Sequence, residues 1–322
     1  MTLFRSFLPS ESLRCLRSGD ISLDRIATVG AGQMLFLYGG TNDHFASYSR
    51  VHELGSIANG QGWANLTAQR HARLSSSVQM LSLFVPNKAT CFPDLYPLPL
   101  DRVPTPGWEE MRRLLKDDTG VMFCDDLFEA SLPANRFDSS PWQLTDSHWS
   151  DYGSLLVVNS ILRRVAVAPL EFRWIECEPQ FIAGDLGSRF GDTTGMQVVR
   201  QVACDLPTPR CVFDSGGGSL DGASMGRRVE WECQEAPIDA AMLVVGNSFS
   251  GTGLRRNHLV YWFSRLFRRT IFLHAASLPT DVVDAYRPDI VLFQGLERFM
   301  RLVPVDDYTA EQCEAVYEAP RE

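Results

Sequence analysis

The feature that most restricts the fold of this chain is a set of short, continuous apolar runs, rich in β-branched and aromatic residues, that alternate with stretches of helical spacing. Buried strands are expected over residues 33–38, 78–85, 120–124, 240–246, 270–274 and 289–293. Between them, 107–116 places Trp108, Met111, Leu114 and Leu115 on one helical face, and 151–165 repeats Leu155, Val158, Ile161 or Leu162, and Val165 at steps of three and four. A third helix over 256–268 turns Leu259, Val260, Phe263, Leu266 and Phe267 inward. A strand that is apolar throughout has no face to give to water. The alternation therefore predicts an α/β fold, a parallel sheet covered by helices on both faces.

The rhythm breaks over 169–237, where short β-like pieces (172–177, 197–203 and 228–233) flank a glycine- and serine-rich loop at 215–226. This segment reads as a β-rich insertion in one domain spanning 1–322. The run Gly216-Gly217-Gly218 lacks the Gly-Lys-Ser/Thr and the strand-to-helix context of a phosphate loop, so it reads as a surface loop. Thirty basic residues against 39 acidic ones give a net charge of -9, the wrong sign for affinity built on phosphate neutralisation, and nucleic acid is not an expected partner. No stretch reaches the roughly 18 to 20 apolar residues of a membrane-spanning helix, and no signal-peptide core is visible, which by itself points to a cytoplasmic protein. The eight cysteines form no C-x-x-C pair, so a cysteine metal site is not expected; disulfides among Cys177, Cys204, Cys211 and Cys233 stay open beside buried thiols.

The sharpest chemical signal is Ala241-Met242-Leu243-Val244-Val245-Gly246-Asn247-Ser248-Phe249-Ser250-Gly251, an apolar strand running into a tight turn and then a helix. Such a turn projects Ser248 from the carboxyl edge of the sheet, where its backbone N–H and the following helix N-terminus can face a developing oxyanion. The alternative is that Asn247 and Ser248 only form a turn and cap a helix. A nucleophilic serine needs a base, and Asp146-Ser147-His148-Trp149, just before the helix at Asp151, offers a histidine with an orienting carboxylate. His148 and Ser248 lie 100 residues apart, so their meeting is a prediction of the fold.

Together these segments resemble the SGNH-hydrolase superfamily, in particular the alginate O-acetylation proteins of the AlgJ/AlgX type. In that branch a D-x-H-W segment precedes a G-D-S-F serine block, reversing the usual motif order. Asp146 to Trp149 and Gly246 to Ser250 fill those places. Further similarity lies in Leu35-Phe36-Leu37-Tyr38-Gly39-Gly40, Val85-Pro86-Asn87-Lys88-Ala89-Thr90, Gly184-Asp185-Leu186 and the stretch from Pro288 to Arg298. The resemblance implies an SGNH-like sheet and a Ser248-His148-Asp146 triad forming an acyl-serine that acetylates a polysaccharide hydroxyl. It also implies a polysaccharide or oligosaccharide acceptor, an acetyl donor in place of a cofactor, a membrane-bound O-acyltransferase as acetyl supplier, and a periplasmic setting. A carbohydrate acetylesterase and a non-catalytic glycan-binding or assembly protein remain as alternatives.

Two positions depart from the pattern. Asn247 replaces the usual Asp. The oxyanion asparagine is matched either by Asn42 in Gly40-Thr41-Asn42-Asp43, far upstream, or by Glu297 at the expected place; Asn42 is the better donor because a carboxylate repels an oxyanion. Substrate-contact candidates are Trp149 as a sugar-stacking wall or a packing residue, Lys88 as a contact or a solvated loop lysine, Arg255 and Arg256 near an acidic sugar or in an exposed turn, and Arg298. A metal site built from Asp43, His44, Asp146 and His148 is not expected, for want of ligand spacing.

Overall fold

A computed structural model describes residues 6–40, 43–74, 78–131, 140–216, 226–309 and 311–312. In chain order its strands are β1 (Phe7–Pro9), β2 (Ala27–Val29), β3 (Leu35–Leu37), β4 (Gln79–Val85), β5 (Val121–Phe123), β6 (Arg173–Ile182), β7 (Met196–Ala203), β8 (Arg210–Asp214), β9 (Arg228–Glu232), β10 (Ile238–Gly246), β11 (Phe267–His274) and β12 (Ile290–Leu296). The helices are α1 (Glu11–Cys15), α2 (Glu53–Leu74), α3 (Lys88–Cys91), α4 (Pro106–Leu115), α5 (Cys124–Ser131), α6 (Asp151–Arg164), α7 (Gly184–Gly187), α8 (Leu259–Leu266) and α9 (Thr280–Tyr286).

The main sheet runs β5-β4-β12-β10-β11-β9-β8. From β5 to β11 every pair is parallel, while β9 and β8 close one end antiparallel. Successive strand residues face opposite sides, and the sequence fills both with hydrocarbon. Met242 and Val244 join a core with α6 and α8, whereas Leu243 and Val245 join a second core with α2, α4 and α9. Leu243 is wholly buried, so Leu243→Ala costs ~2–5 kcal/mol from lost transfer energy and the cavity left behind.

Several elements differ from their sequence expectation. The run at 33–38 does not enter the main sheet: Gly32 and Gln33 turn at positive φ, and only β3 remains, paired with β2 in a separate two-stranded sheet. The helix expected over 256–268 begins at Leu259, because the Arg256 carbonyl is taken by Ser154 Oγ (2.7 Å) and Trp262 Nε1 (2.8 Å) across the chain. It ends before Phe267, which opens β11 against Ile238. The segment 169–237 divides: β6 and β7 pair with N-terminal β1 in a three-stranded sheet, while β8 and β9 extend the main sheet. Residues 217–225 of the glycine-rich loop lie outside the described residues. The seven described cysteines are free, and among the described residues no helix is long and apolar enough to cross a membrane.

This topology leaves the carboxyl ends of β4, β10, β11 and β12 side by side, the edge where parallel sheets expose chain ends rather than packed side chains. In the site described next, Ser248 lies at that edge, Asp146 and His148 on the segment leading into α6, and Asp185 at the start of α7.

Candidate active site

The turn after β10 is built by Asn247. Its Oδ1 accepts from the Phe249 N–H (3.0 Å), its carbonyl accepts from the Ser250 and Gly251 N–H groups (3.0 and 3.2 Å), and its own N–H donates to Gln294 Oε1 on β12 (3.2 Å). These bonds need a short side-chain oxygen rather than a negative charge, so asparagine serves where the related pattern has aspartate. Glycine is required at 246, since a Cβ there would lie 2.8 Å from Ser250 Oγ. The turn presents Ser248, whose N–H has no partner among the described residues. No helix starts here: α8 begins at Leu259, so the expected helix N-terminus behind Ser248 is absent and its own N–H is left as a candidate oxyanion donor at this turn.

The second half of the site sits just before α6, whose cap is Ser150, accepting from the Gly153 N–H. His148 Nε2 lies 2.7 Å from Ser248 Oγ, and His148 Nδ1 lies 2.6 Å from Asp146 Oδ1. An ionised carboxylate can only accept, which assigns the proton to Nδ1 and leaves the Nε2 lone pair for the serine hydroxyl. Burial opposes charge on the imidazole, but the Asp146 carboxylate outweighs it and raises the His148 pKa. The same pair works in reverse on Asp146: burial penalises its charge, yet His148 holds the carboxyl well below the usual range. Phe249 fixes the ring orientation, with its centroid 4.7 Å from His148, 4.9 Å from Trp149 and 5.7 Å from Trp142.

A second carboxylate supports the first. Asp185, at the start of α7, accepts from the Ser147 N–H (2.6 Å) and hydroxyl (2.5 Å), while its own N–H donates to Asp146 Oδ2 (3.2 Å). Gly184 makes this approach, with φ +71° and a Cβ position only 2.3 Å from the Thr145 carbonyl. Burial and the charge on Asp146 push the Asp185 pKa up. Sequence reasoning noticed Gly184-Asp185-Leu186 but gave it no role; the signal was a glycine before an aspartate at a strand end. Asp146, His148 and Asp185 offer ligand atoms within 4.8 Å of one another. A cation there would have to displace the hydrogen bonds of His148 Nδ1 to Asp146 and of Ser147 to Asp185 that define the arrangement.

Other expected contacts are placed elsewhere. Trp149 is 0% exposed and donates through Nε1 to the Asn257 carbonyl, so it is a packing residue and not a sugar wall. Lys88 is no solvated loop lysine. Its Nζ is buried within hydrogen-bond distance of the carbonyls of Leu35 (2.7 Å), Gln143 (2.6 Å), Leu144 (3.2 Å) and Asp146 (3.1 Å), and therefore ties the loop of Asp146 and His148 to β3. Burial pulls its pKa down to about 7. Arg256 is spent on Val202 O (2.9 Å) and Gln201 Oε1 (3.2 Å). Arg255 is exposed and lines the cavity above Ser248. Arg298 is buried over the Phe249 ring, 5.5 Å from its centroid, with no hydrogen bond among the described residues. Burial draws its pKa down to about 10 against the attraction of Asp185 and Asp146. Glu297 accepts from the Asn87 and Thr105 N–H groups and the Thr90 and Thr105 hydroxyls, a clamp between β12 and its neighbours. Asn42, the side-chain oxyanion candidate, lies outside the described residues.

Ser248 and His148 open into a cavity of about 640 Å³. Asp146, Asp185 and Phe181 line it, as do Arg255, His258 and His274. Burial and the nearby His148 push His258 down to about 3, and burial with Arg227 lowers His274 to about 4, so both are neutral near pH 7.

With the geometry in place, known structures provide a comparison. Bacillus cereus PatB1 superposes with a TM-score of 0.51 at 14% identity, covering 78% of this chain and 93% of that one. PatB1 with a sulfonyl adduct gives a TM-score of 0.54 at 12% identity over 85% and 96%. The chain has an SGNH-like α/β fold. The O-acetyltransferase domain of Pseudomonas putida AlgJ is also similar, at 14% identity, 86% and 92% coverage and a TM-score of 0.48. No protein-family model and no curated protein sequence matches.

Proposed function

We propose that this protein is a polysaccharide O-acetyltransferase that works through an acyl-Ser248 intermediate. The observation that carries the reading is the continuous chain from Asp146 Oδ1 through His148 to Ser248 Oγ, with contacts of 2.6 and 2.7 Å, opening into a cavity. His148 Nε2 takes the hydroxyl proton as Ser248 Oγ bonds to the carbonyl carbon of an acetyl donor. Asp146 stabilises the imidazolium that forms. The tetrahedral oxyanion is held by the Ser248 N–H, with Asn42 as the side-chain donor. As the bond from carbon to the leaving group breaks, His148 returns its proton to that group.

In the second half-reaction His148 takes a proton from a sugar hydroxyl, whose oxygen attacks the acetyl carbon and releases Ser248 with its proton restored. Water reaching the same carbon would give acetate instead, so the balance between transfer and hydrolysis rests on acceptor binding. On this reading Arg255, which lines the cavity, and Arg298, buried over the Phe249 ring, are assigned to the acceptor or the oxyanion. The acetyl donor, delivered by a membrane-bound O-acyltransferase on this reading, needs no cofactor. A purely glycan-binding role would leave the preformed serine–histidine contact without use.

The test is to incubate the protein with an activated acetyl ester, with and without oligosaccharides, and follow acetyl-protein, acetyl-sugar and acetate by mass spectrometry. Acetyl on the peptide containing Ser248, followed by acetyl-sugar, is expected. Acetate as the sole product would reject transfer in favour of an esterase, and the absence of any adduct with several donors would reject the enzyme.

A further inference from the structure

The sequence left Trp149 as either a sugar-stacking wall or a packing residue, and the fold buries it. A different aromatic stands at the cavity. Phe181, near the end of β6, is 49% exposed and lines the same space as Ser248 and His148. A large apolar ring left half in water beside a polar site forgoes burial that the rest of the molecule achieves for most of its phenylalanines.

Its position is fixed from below. The backbone at Gly195, just before β7, passes directly under the ring, and a Cβ there would come within 2.6 Å of Phe181 Cζ. Glycine thus lets the ring lie against the main chain. The ring is also tied to the chemistry, because the strand carrying it leads within four residues to Asp185. That short stretch is stitched to the catalytic loop: the Thr145 hydroxyl donates to the Ile182 carbonyl (3.3 Å), the Leu186 and Gly187 N–H groups donate to the Thr145 carbonyl (3.2 and 3.0 Å), and the Asp185 N–H reaches Asp146 Oδ2 (3.2 Å).

We propose that Phe181 is the platform on which a sugar ring of the acceptor stacks, setting that ring's hydroxyl edge toward His148. The inference rests on the acyl-transfer reading and names the part of the site that recognises its acceptor. The surroundings favour a sugar over an aliphatic chain. Asp146, Asp185, Arg255 and Asn257 line the same cavity as the ring, polar groups that a hydrocarbon would strip of water without replacing the lost hydrogen bonds. A pyranose offers an apolar C–H face to the phenyl ring and hydroxyls to those neighbours.

Two measurements test this. In the Ser248→Ala protein, binding of cellohexaose and of a hexuronate is measured by calorimetry, and Phe181→Ala is expected to weaken the bound oligosaccharide roughly tenfold while Phe181→Trp restores it. In the protein with Ser248 intact, Phe181→Ala is expected to move the partition of acetyl groups roughly tenfold from acetyl-sugar toward acetate. Unchanged binding in Phe181→Ala, or binding of neither oligosaccharide, overturns the proposal. So does a loss confined to acylation by a decanoyl ester relative to an acetyl ester, which would give the ring to an acyl chain. If no acetyl-serine forms but oligosaccharide binding still depends on Phe181, the transferase reading fails and the sugar platform stands.

Discussion

The two halves of the sheet's carboxyl edge make opposite use of buried polar groups. Beyond β4 and β12 the buried charges of Lys88 and Glu297 are saturated: Lys88 Nζ lies within hydrogen-bond distance of four carbonyls, Glu297 accepts from four donors, and Tyr48 bonds both Thr90 and Asn87, although Asn87 Oδ1 has no partner and Arg298 makes no hydrogen bond among the described residues. Beyond β10 and β11 groups are left open: the Ser248 N–H and His258 Nδ1 have no partner among the described residues, and Ser248 Oγ bonds only to the histidine that can deprotonate it. Saturation makes a rigid support, because removing any one member strands the others. On the proposed reading, incompleteness marks the half where a ligand supplies the missing partners.

The contrast is broken first at the open half. Ser248→Ala is expected to lower acetyl transfer by on the order of 10⁴ or more with the melting temperature nearly unchanged, measured by product release and calorimetry. Asp146→Asn, which keeps the shape but removes the charge that fixes the His148 tautomer, should lower the rate by roughly 10³–10⁴. On the saturated half the sign of the evidence reverses. Lys88→Met takes the ammonium from the carbonyls of Leu35, Gln143 and Asp146, with Leu144 keeping the Leu35 N–H, and is expected to cost about 3 kcal/mol or more in denaturant unfolding, with activity lost as a consequence of the loosened loop.

A pH profile sharpens the same comparison. Because Asp146 raises the His148 pKa, the imidazole remains protonated, and useless as a base, to a higher pH than a free histidine of about 6.5. Activity should therefore rise with pH through a midpoint above that value. A midpoint at or below it would show that His148 does not feel Asp146 as the geometry requires. The smallest effect belongs to Asn247→Asp: since the turn uses a side-chain oxygen that aspartate also has, activity is expected to change by less than about threefold. A larger gain would show that charge at 247, and not turn geometry, limits the native protein.

What the sequence disclosed was local or periodic. The continuous apolar runs at β4, β10 and β12 told of a sheet buried on both faces, and Asp146-Ser147-His148 and Gly246-Asn247-Ser248 contained their own hydrogen-bond geometry within a few residues. What it concealed depends on distant chain. Lys88 looks like any loop lysine until Leu35 and the carbonyls of Gln143, Leu144 and Asp146 converge on it. Phe267 fits the apolar face of the preceding helix equally well, and only its pairing with Ile238 makes it a strand residue. Asp185 acquires meaning from Ser147, 38 residues earlier.

The contact between His148 and Ser248 spans 100 residues, and between them the chain builds β6 to β10 and distributes them over two sheets. Loop closure over that span is repaid only once the intervening strands have docked. Neither half of the site can gain the other early in folding. Recovered acetyl transfer after dilution from denaturant would thus time the last long-range step of assembly, making the reaction itself a clock for the completion of the fold.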